Sequence, residues 1–155
     1  MGAETCIAVT AVTAQTDTRV SDVHPVPPAY VAAQVRASGR VSAVKVGMLG
    51  SAEIVAAVAA ALPSAPLVLD PVLMSSSGYA LIDDAGLDTL IADLLTRTTL
   101  LTPNLPELGM LSRRLALPEN VDEGACVRAL ITRGCRAVRV KGGHAETETF
   151  CEDRL

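Results

Sequence analysis

The apolar positions of this chain fall into short β-branched runs that stop abruptly in Gly, Pro, Asn or Lys. Stretches with helical periodicity separate them. Four runs end this way: Ala43-Val44-Lys45-Val46-Gly47-Met48, Leu67-Val68-Leu69-Asp70-Pro71-Val72, Leu100-Leu101-Thr102-Pro103-Asn104 and Val138-Arg139-Val140-Lys141-Gly142-Gly143-His144. They predict strands over 41–46, 67–70, 99–102 and 137–141. Residues 6–13 read as a further buried strand, followed by a polar stretch over 15–22 and a stiff proline-rich connector over 23–28 that cannot be helical. A helix is predicted from near Pro28, where proline suits a first turn, to Gly39, with Val31 and Val35 on one face. A second starts at Ser51 as N-cap, turns Ile54, Val55 and Val58 inward and ends near Leu62. Asp83-Asp84 caps a third that runs to about Thr96, Asn104 opens a fourth, and 124–132 forms a fifth. Residues 146–152 read as a last extended segment.

Strands alternating with helices imply right-handed βαβ crossovers and a parallel sheet. The strands are apolar along their length, as expected where helices cover both faces. The class is therefore α/β, a mostly parallel sheet with helices on both faces, in one domain over 1–155. Open parallel sheets bind ligands outside the carboxyl ends of their strands. The polar and hinge residues collect at that edge.

Composition narrows the partners. Half of the 155 residues are apolar, enough for a sizeable core. Tyr30, Tyr79 and Phe150 are the only aromatics and the formal charge is −4, which disfavours a nucleic-acid partner. No apolar stretch approaches the ~20 residues that span a bilayer, and the first residues lack the basic and apolar regions of a secretory signal. Cys6, Cys126, Cys135 and Cys151 form no CxxC pair and have no histidine at metal-ligand spacing. They read as reduced thiols of a cytoplasmic protein.

No Walker loop and no dinucleotide-binding GxGxxG turn occurs. The candidate chemistry lies after the strands. Asn104-Leu105-Pro106-Glu107 has two readings: a capping box that satisfies helix amides, or an Asn/Glu pair helping to hold a hydrated Mg²⁺ beside an anion. Asp70 either satisfies its own turn or stands as a carboxylate at a site mouth. Lys141-Gly142-Gly143 is either a glycine turn with a solvated lysine or a close backbone approach to phosphate with a neutralising cation. His144 and His24 read as loop residues. Gln15 carries an amide that donates and accepts, suited to a heterocycle with a ring nitrogen and an exocyclic amine.

Six segments stand together in an order and spacing that resemble one family. They are Thr10-Ala11-Val12-Thr13-Ala14-Gln15, Val26-Pro27-Pro28, Ala43-Val44-Lys45-Val46-Gly47-Met48-Leu49, Asp70-Pro71-Val72, Leu101-Thr102-Pro103-Asn104-Leu105-Pro106-Glu107 and Val140-Lys141-Gly142-Gly143-His144. The chain resembles the hydroxymethylpyrimidine/phosphomethylpyrimidine kinases of thiamine biosynthesis, which are ribokinase-like. The resemblance implies ATP- and Mg²⁺-dependent phosphorylation of 4-amino-5-hydroxymethyl-2-methylpyrimidine, then of its monophosphate. It implies that Gln15 binds the aminopyrimidine and that Met48 and Val72 line the apolar part of its pocket. Asn104, Glu107, Lys141, Gly142 and Gly143 then serve nucleotide and phosphate, with Asp70 and Glu107 holding Mg²⁺ through water. It also implies a homodimer, which the residues themselves neither support nor exclude.

The sequence departs from the family pattern as well. The family's earlier strand with its Gly/Ser-rich turn and its later Gly-Thr-Gly-Cys anion hole are not found, so the chain is expected to represent the central portion of the fold. Weak binding and negligible turnover are expected of these residues alone, with no catalytic residue among them. Thr16-Asp17-Thr18 replaces the usual Asn-Thr, and Ser75-Ser76-Ser77 stands where a lysine is common. The alternatives are a pyridoxal-type kinase, a non-catalytic pyrimidine-binding module and a misassigned reading frame that folds poorly.

Overall fold

Three short strands form the parallel sheet that carries the site. In this computed structural model, which describes residues 2, 4–16, 18–75 and 77–142, β3 (Val44–Val46), β4 (Leu67–Leu69) and β5 (Leu100–Leu101) lie side by side in that order. Val46 pairs with Leu69, and Leu69 with Leu101. Leu69 and Leu101 are wholly buried, as expected of a central strand and its neighbour covered on both faces. The predicted strand over 137–141 is present only as two parallel bridges, Leu101 to Val138 and Asn104 to Lys141. Pro103 explains the break. The Lys141 N–H donates to the Pro103 carbonyl at 2.9 Å, but Pro103 has no N–H to return a bond across the ladder.

Helices link the strands as predicted. α1 (Pro28–Ala37) begins on its proline and is followed by Gly39 at φ +65°. α2 (Ala52–Ala61) follows Ser51, which occupies the N-cap position but makes no side-chain cap bond. Asp83 caps α3 (Asp84–Thr89) by accepting from the Gly86 N–H at 2.6 Å. That helix continues as a π-turn over Leu90–Leu94 and a 3-10 turn over Leu95–Arg97, where the Thr98 hydroxyl donates to the Leu94 carbonyl. α4 (Leu105–Arg114) and α5 (Glu123–Thr132) complete the set, the latter capped by Asp122. α1, α2 and α3 pack in succession, and α4 packs on α5. Ile54, Val55, Leu73, Leu90, Leu94, Leu111 and Leu130 fill the core with the strand residues.

The amino-terminal part differs from expectation. The run over 6–13 is not a buried strand. Instead β1 (Ala11–Gln15) pairs antiparallel with β2 (Val20–Pro25), with a register shift at Ala14/Gln15. The stretch read as a polar loop and stiff connector is thus a strand. A two-stranded ribbon open to solvent needs no continuous apolar run, so its polar residues hid it. Val12 is 60% exposed on this ribbon. Ahead of the ribbon, Gln34 donates to the Val9 carbonyl and accepts from its N–H, the Thr10 hydroxyl donates to the Met48 carbonyl, and the Thr10 carbonyl accepts from the Val26 N–H. The extended segment expected over 146–152 lies outside the described residues.

Candidate functional site

A charged cluster stands beyond the carboxyl ends of the parallel strands. Asp70 follows β4, and its N–H donates to the Val46 carbonyl of β3 at 2.8 Å, so its backbone is tied to the neighbouring strand. One carboxylate oxygen, Oδ1, accepts from Lys141 Nζ at 2.7 Å. The other, Oδ2, lies 3.1 Å from Lys45 Nζ. Burial pushes the Asp70 carboxyl up, but hydrogen bonds and charge from Lys141 and Lys45 outweigh it and hold the group below its ordinary value. It stays ionised between two ammonium groups.

Glu107 adds a second carboxylate with the opposite tendency. It is 4% exposed, and burial raises its pKa despite the Asn104 N–H and the Lys141 charge. Both bonds of the predicted capping box are present: Asn104 Oδ1 accepts from the Glu107 N–H, and Glu107 Oε2 accepts from the Asn104 N–H, each at 2.8 Å. The same Oε2 lies 3.9 Å from Lys141 Nζ. Capping and charge placement therefore coexist in one residue. Pro106 lacks an N–H and the Glu107 N–H is taken, so the first turn of α4 offers an anion few free amides.

The turn after Asp70 connects this cluster to a cavity. The Val72 N–H donates to the Asp70 carbonyl at 2.8 Å. Val72, Met48 and Gln15 then line one cavity of about 340 Å³ together with Val20, Met74 and Ser75. Gln15 reaches it from the end of β1 and Met48 from the loop after β3. A volume of this size fits a small heterocycle, since ligand pockets start near ~300 Å³. The walls mix apolar side chains with a single amide and several hydroxyls. A second cavity of about 410 Å³ runs beside the outer edge of β3, between residues 6–13 and α1, and includes Lys45, Val31 and Gln34.

The structure thus groups the sequence-derived candidates in two adjoining places. Gln15, Met48 and Val72 share the cavity, while Asp70, Asn104, Glu107 and Lys141 share the charged cluster. Gly142 follows directly; Gly143 and His144 lie outside the described residues. His24 stands opposite Val12 in the hairpin and lines neither cavity. The sequence reading passed over Lys45 as chemistry, although a lysine inside the Val-Lys-Val strand was a visible signal. It also passed over Val20 and Met74, whose places depend on the hairpin and on the bridge between Met74 and Ala80. Among the described residues no group of three or more metal-ligating side chains occurs, and no helix is long and apolar enough to cross a membrane.

Comparison with known proteins gives a consistent result. The family model described as phosphomethylpyrimidine kinase matches residues 1–155. A hydroxymethylpyrimidine/phosphomethylpyrimidine kinase of Mycobacterium tuberculosis is 42% identical over 162 residues, which cover 100% of this chain and 58% of that protein. The Escherichia coli protein of the same name is 37% identical over 157 residues, covering 96% and 58%. The chain thus spans 58% of the length of these curated relatives. Among solved structures, a phosphomethylpyrimidine kinase from Clostridium difficile superposes with a TM-score of 0.75 at 29% identity, covering 94% of this chain and 69% of the other. A pyridoxal kinase from Staphylococcus aureus in complex with AMP-PCP gives 0.74 at 30% identity, covering 94% and 55%. The α/β, ribokinase-like architecture expected from sequence is the architecture of these neighbours.

Proposed function

The chain belongs to the phosphomethylpyrimidine kinase family, and from that premise we propose that it carries the substrate pocket and the phosphate-side charges of an ATP-dependent kinase of thiamine biosynthesis. Its substrates are 4-amino-5-hydroxymethyl-2-methylpyrimidine and the corresponding monophosphate. One observation carries this reading: the cavity lined by Gln15, Met48 and Val72 joins the Asp70–Lys141–Glu107 cluster through a single turn.

The roles follow from chemistry. Gln15 exchanges hydrogen bonds with the ring nitrogen and exocyclic amine, while Met48 and Val72 hold the apolar part of the ring. Their place next to the cluster brings a hydroxymethyl group toward the nucleotide's terminal phosphate. Phosphoryl transfer depends on positioning and charge neutralisation more than on covalent chemistry from the protein. Lys141 supplies a cation for the phosphates, and Asn104 and Glu107 fix the α4 terminus beside it. Gly142 and Gly143 allow the nucleotide close to the backbone. Both Asp70 oxygens already accept from lysines and the Glu107 Oε2 is bonded to the Asn104 N–H. This donor set suits a Mg²⁺ held through its waters, not direct chelation. Such an ion would neutralise phosphate charge, with Asp70 and Glu107 as acceptors for its water ligands.

Calorimetry with the aminopyrimidine alcohol tests the pocket. Binding is expected for the chain, with a loss of at least about tenfold in Q15A, in which a buried polar contact on the ligand is left unpaired. Unchanged affinity in Q15A would refute the role of the amide. In a coupled ATP-consumption assay, residues 1–155 by themselves are expected to turn over negligibly, because no Gly-Thr-Gly-Cys turn occurs among them to cradle the migrating phosphate. The likeness to pyridoxal kinase supports a second reading, a pyridoxal-type substrate in the same cavity. A panel of the aminopyrimidine and pyridoxal separates the two by their order of affinity.

A further inference from the structure

Lys45 completes an arrangement in which one carboxylate serves two cations. Asp70 stands at the end of the middle strand, and the two lysines approach it from elements on opposite sides of β4. Lys45 comes from β3, and Lys141 from the segment bridged to β5. Each takes a different oxygen, Oδ2 at 3.1 Å and Oδ1 at 2.7 Å. The Asp70 side chain is only 16% exposed, whereas Lys45 is 67% and Lys141 35% exposed. The carboxylate is thus the shielded partner, and it is the group that suffers if left unpaired.

This raises a difficulty for phosphate capture. Lys141 is already committed to Asp70 and lies near Glu107. If Lys141 turns to an incoming anion, Asp70 loses a close counter-charge at the moment another negative charge arrives. We propose that Lys45 is a positioning residue for anion capture: by holding Oδ2 it keeps Asp70 neutralised and in place, which frees Lys141 to leave Oδ1 for a nucleoside triphosphate's phosphates. Lys45 itself does not touch the anion. Without it, Lys141 and Asp70 form an exclusive pair, and the anion must compete with a half-buried carboxylate for the same ammonium. The Lys45 side chain is mostly exposed, and it acts on Asp70 through its charge.

This inference rests on the reading of Lys141 as the phosphate-side cation, and its test separates the two. The first measurement is calorimetry with AMP-PCP and Mg²⁺ on the wild type, K45M, K45R, D70N and K45M/D70N. K45M is expected to lower affinity about tenfold, K45R to restore it to within about twofold, and K45M to cost under about twofold in the D70N background. An equal loss in both backgrounds overturns the proposal, because Lys45 would then act on the anion directly. The second measurement needs no nucleotide: the rate at which sulfo-NHS-acetate acetylates Lys141, read by mass spectrometry. K45M is expected to slow that rate several-fold, K45R to return it, and K45M/D70N to show no slowing. An unchanged rate in K45M overturns the clamp whatever AMP-PCP does. If the acetylation pattern holds while AMP-PCP binds no variant, the clamp stands and the nucleotide reading fails. Coincident thermal unfolding of K45M and K45R with the wild type shows that the fold is intact.

Discussion

The parallel sheet and the β1–β2 hairpin are built on opposite terms, and the site draws on both. In the sheet, Leu69 and Leu101 are wholly buried and Val46 nearly so. In the hairpin Val12 is 60% exposed and no residue is fully buried. The sheet presents Asp70 and Asn104 just beyond the ends of β4 and β5, and Lys141 from the segment bridged to β5. The hairpin presents Gln15 from a ribbon held mainly by its own backbone ladder. The charged side of the site is thus set by packing, and the amide side by a marginal element whose position a ligand can tighten.

Removing core volume gives the largest expected effect. Leu69→Ala cuts a side chain with no solvent exposure, and its cost is expected to be about 2–5 kcal/mol by urea titration. The loss should carry the Asp70 cluster with it, since Asp70 is the next residue. If L69A unfolds at the wild-type midpoint, the sheet is not the structural anchor described here.

The α4 cap comes next. Asn104→Ala removes the acceptor of the Glu107 N–H and is expected to cost about 0.5–2 kcal/mol. Asn104→Asp keeps the acceptor and should recover most of that loss. A mutation that weakened binding without touching stability would assign Asn104 to the ligand rather than to the helix.

The pKa values of the two carboxylates are shifted in opposite directions, which sharpens the comparison further. Burial raises the Asp70 pKa, but the two lysines hold it below its ordinary value of 3.8. Its contribution is therefore present above that value and lost as pH falls through the folded-state pKa. Burial raises Glu107 above 4.5, so its contribution is full below that value and is lost as pH rises through the folded-state pKa. Glu107→Gln keeps an acceptor for the Asn104 N–H. Its stability relative to the wild type is expected to improve as pH rises from 4 to 7 in urea titrations. Asp70→Asn is expected to lose ground relative to the wild type as pH rises from 2 to 4. Parallel curves for both variants would contradict the placement of these groups.

Much of this was legible in the residues. The strand–stop–helix rhythm located β3, β4 and β5 and the helices after them, because a strand buried on both faces must be apolar throughout and its ends must be punctuated. Asn104 and Glu107 announced the cap by their spacing. The resemblance placed Gln15, Met48 and Val72, which no local pattern joined, on one cavity. The hairpin was not legible, since a half-exposed ribbon with Asp22, His24 and Pro25 carries no strong period. The break at Pro103 was legible in principle: a proline after a strand forbids one rung of the ladder. Lys45 stands out as a lone charge between strand valines, but its pairing with Asp70 depends on the register of β3 against β4, which no local pattern states.

The smallest effect tests the weaker element. Val12→Thr replaces an exposed β-branched residue with another on the ribbon, and its effect on global stability is expected to stay within about 0.5 kcal/mol. The hairpin's own opening is a different quantity. Hydrogen exchange of the Ala11–Gln15 amides is expected to be faster than that of Leu69 and Leu101 in the free protein, since the ribbon buries little apolar surface. Addition of the aminopyrimidine alcohol should slow exchange in β1 and leave Leu69 unchanged, because Gln15 and Val20 bring the ribbon to the cavity wall, whereas Leu69 is wholly buried in the sheet. Equal protection of ribbon and sheet in the free protein would erase the contrast between them, and with it the view that one side of the site is preset while the other closes on its ligand.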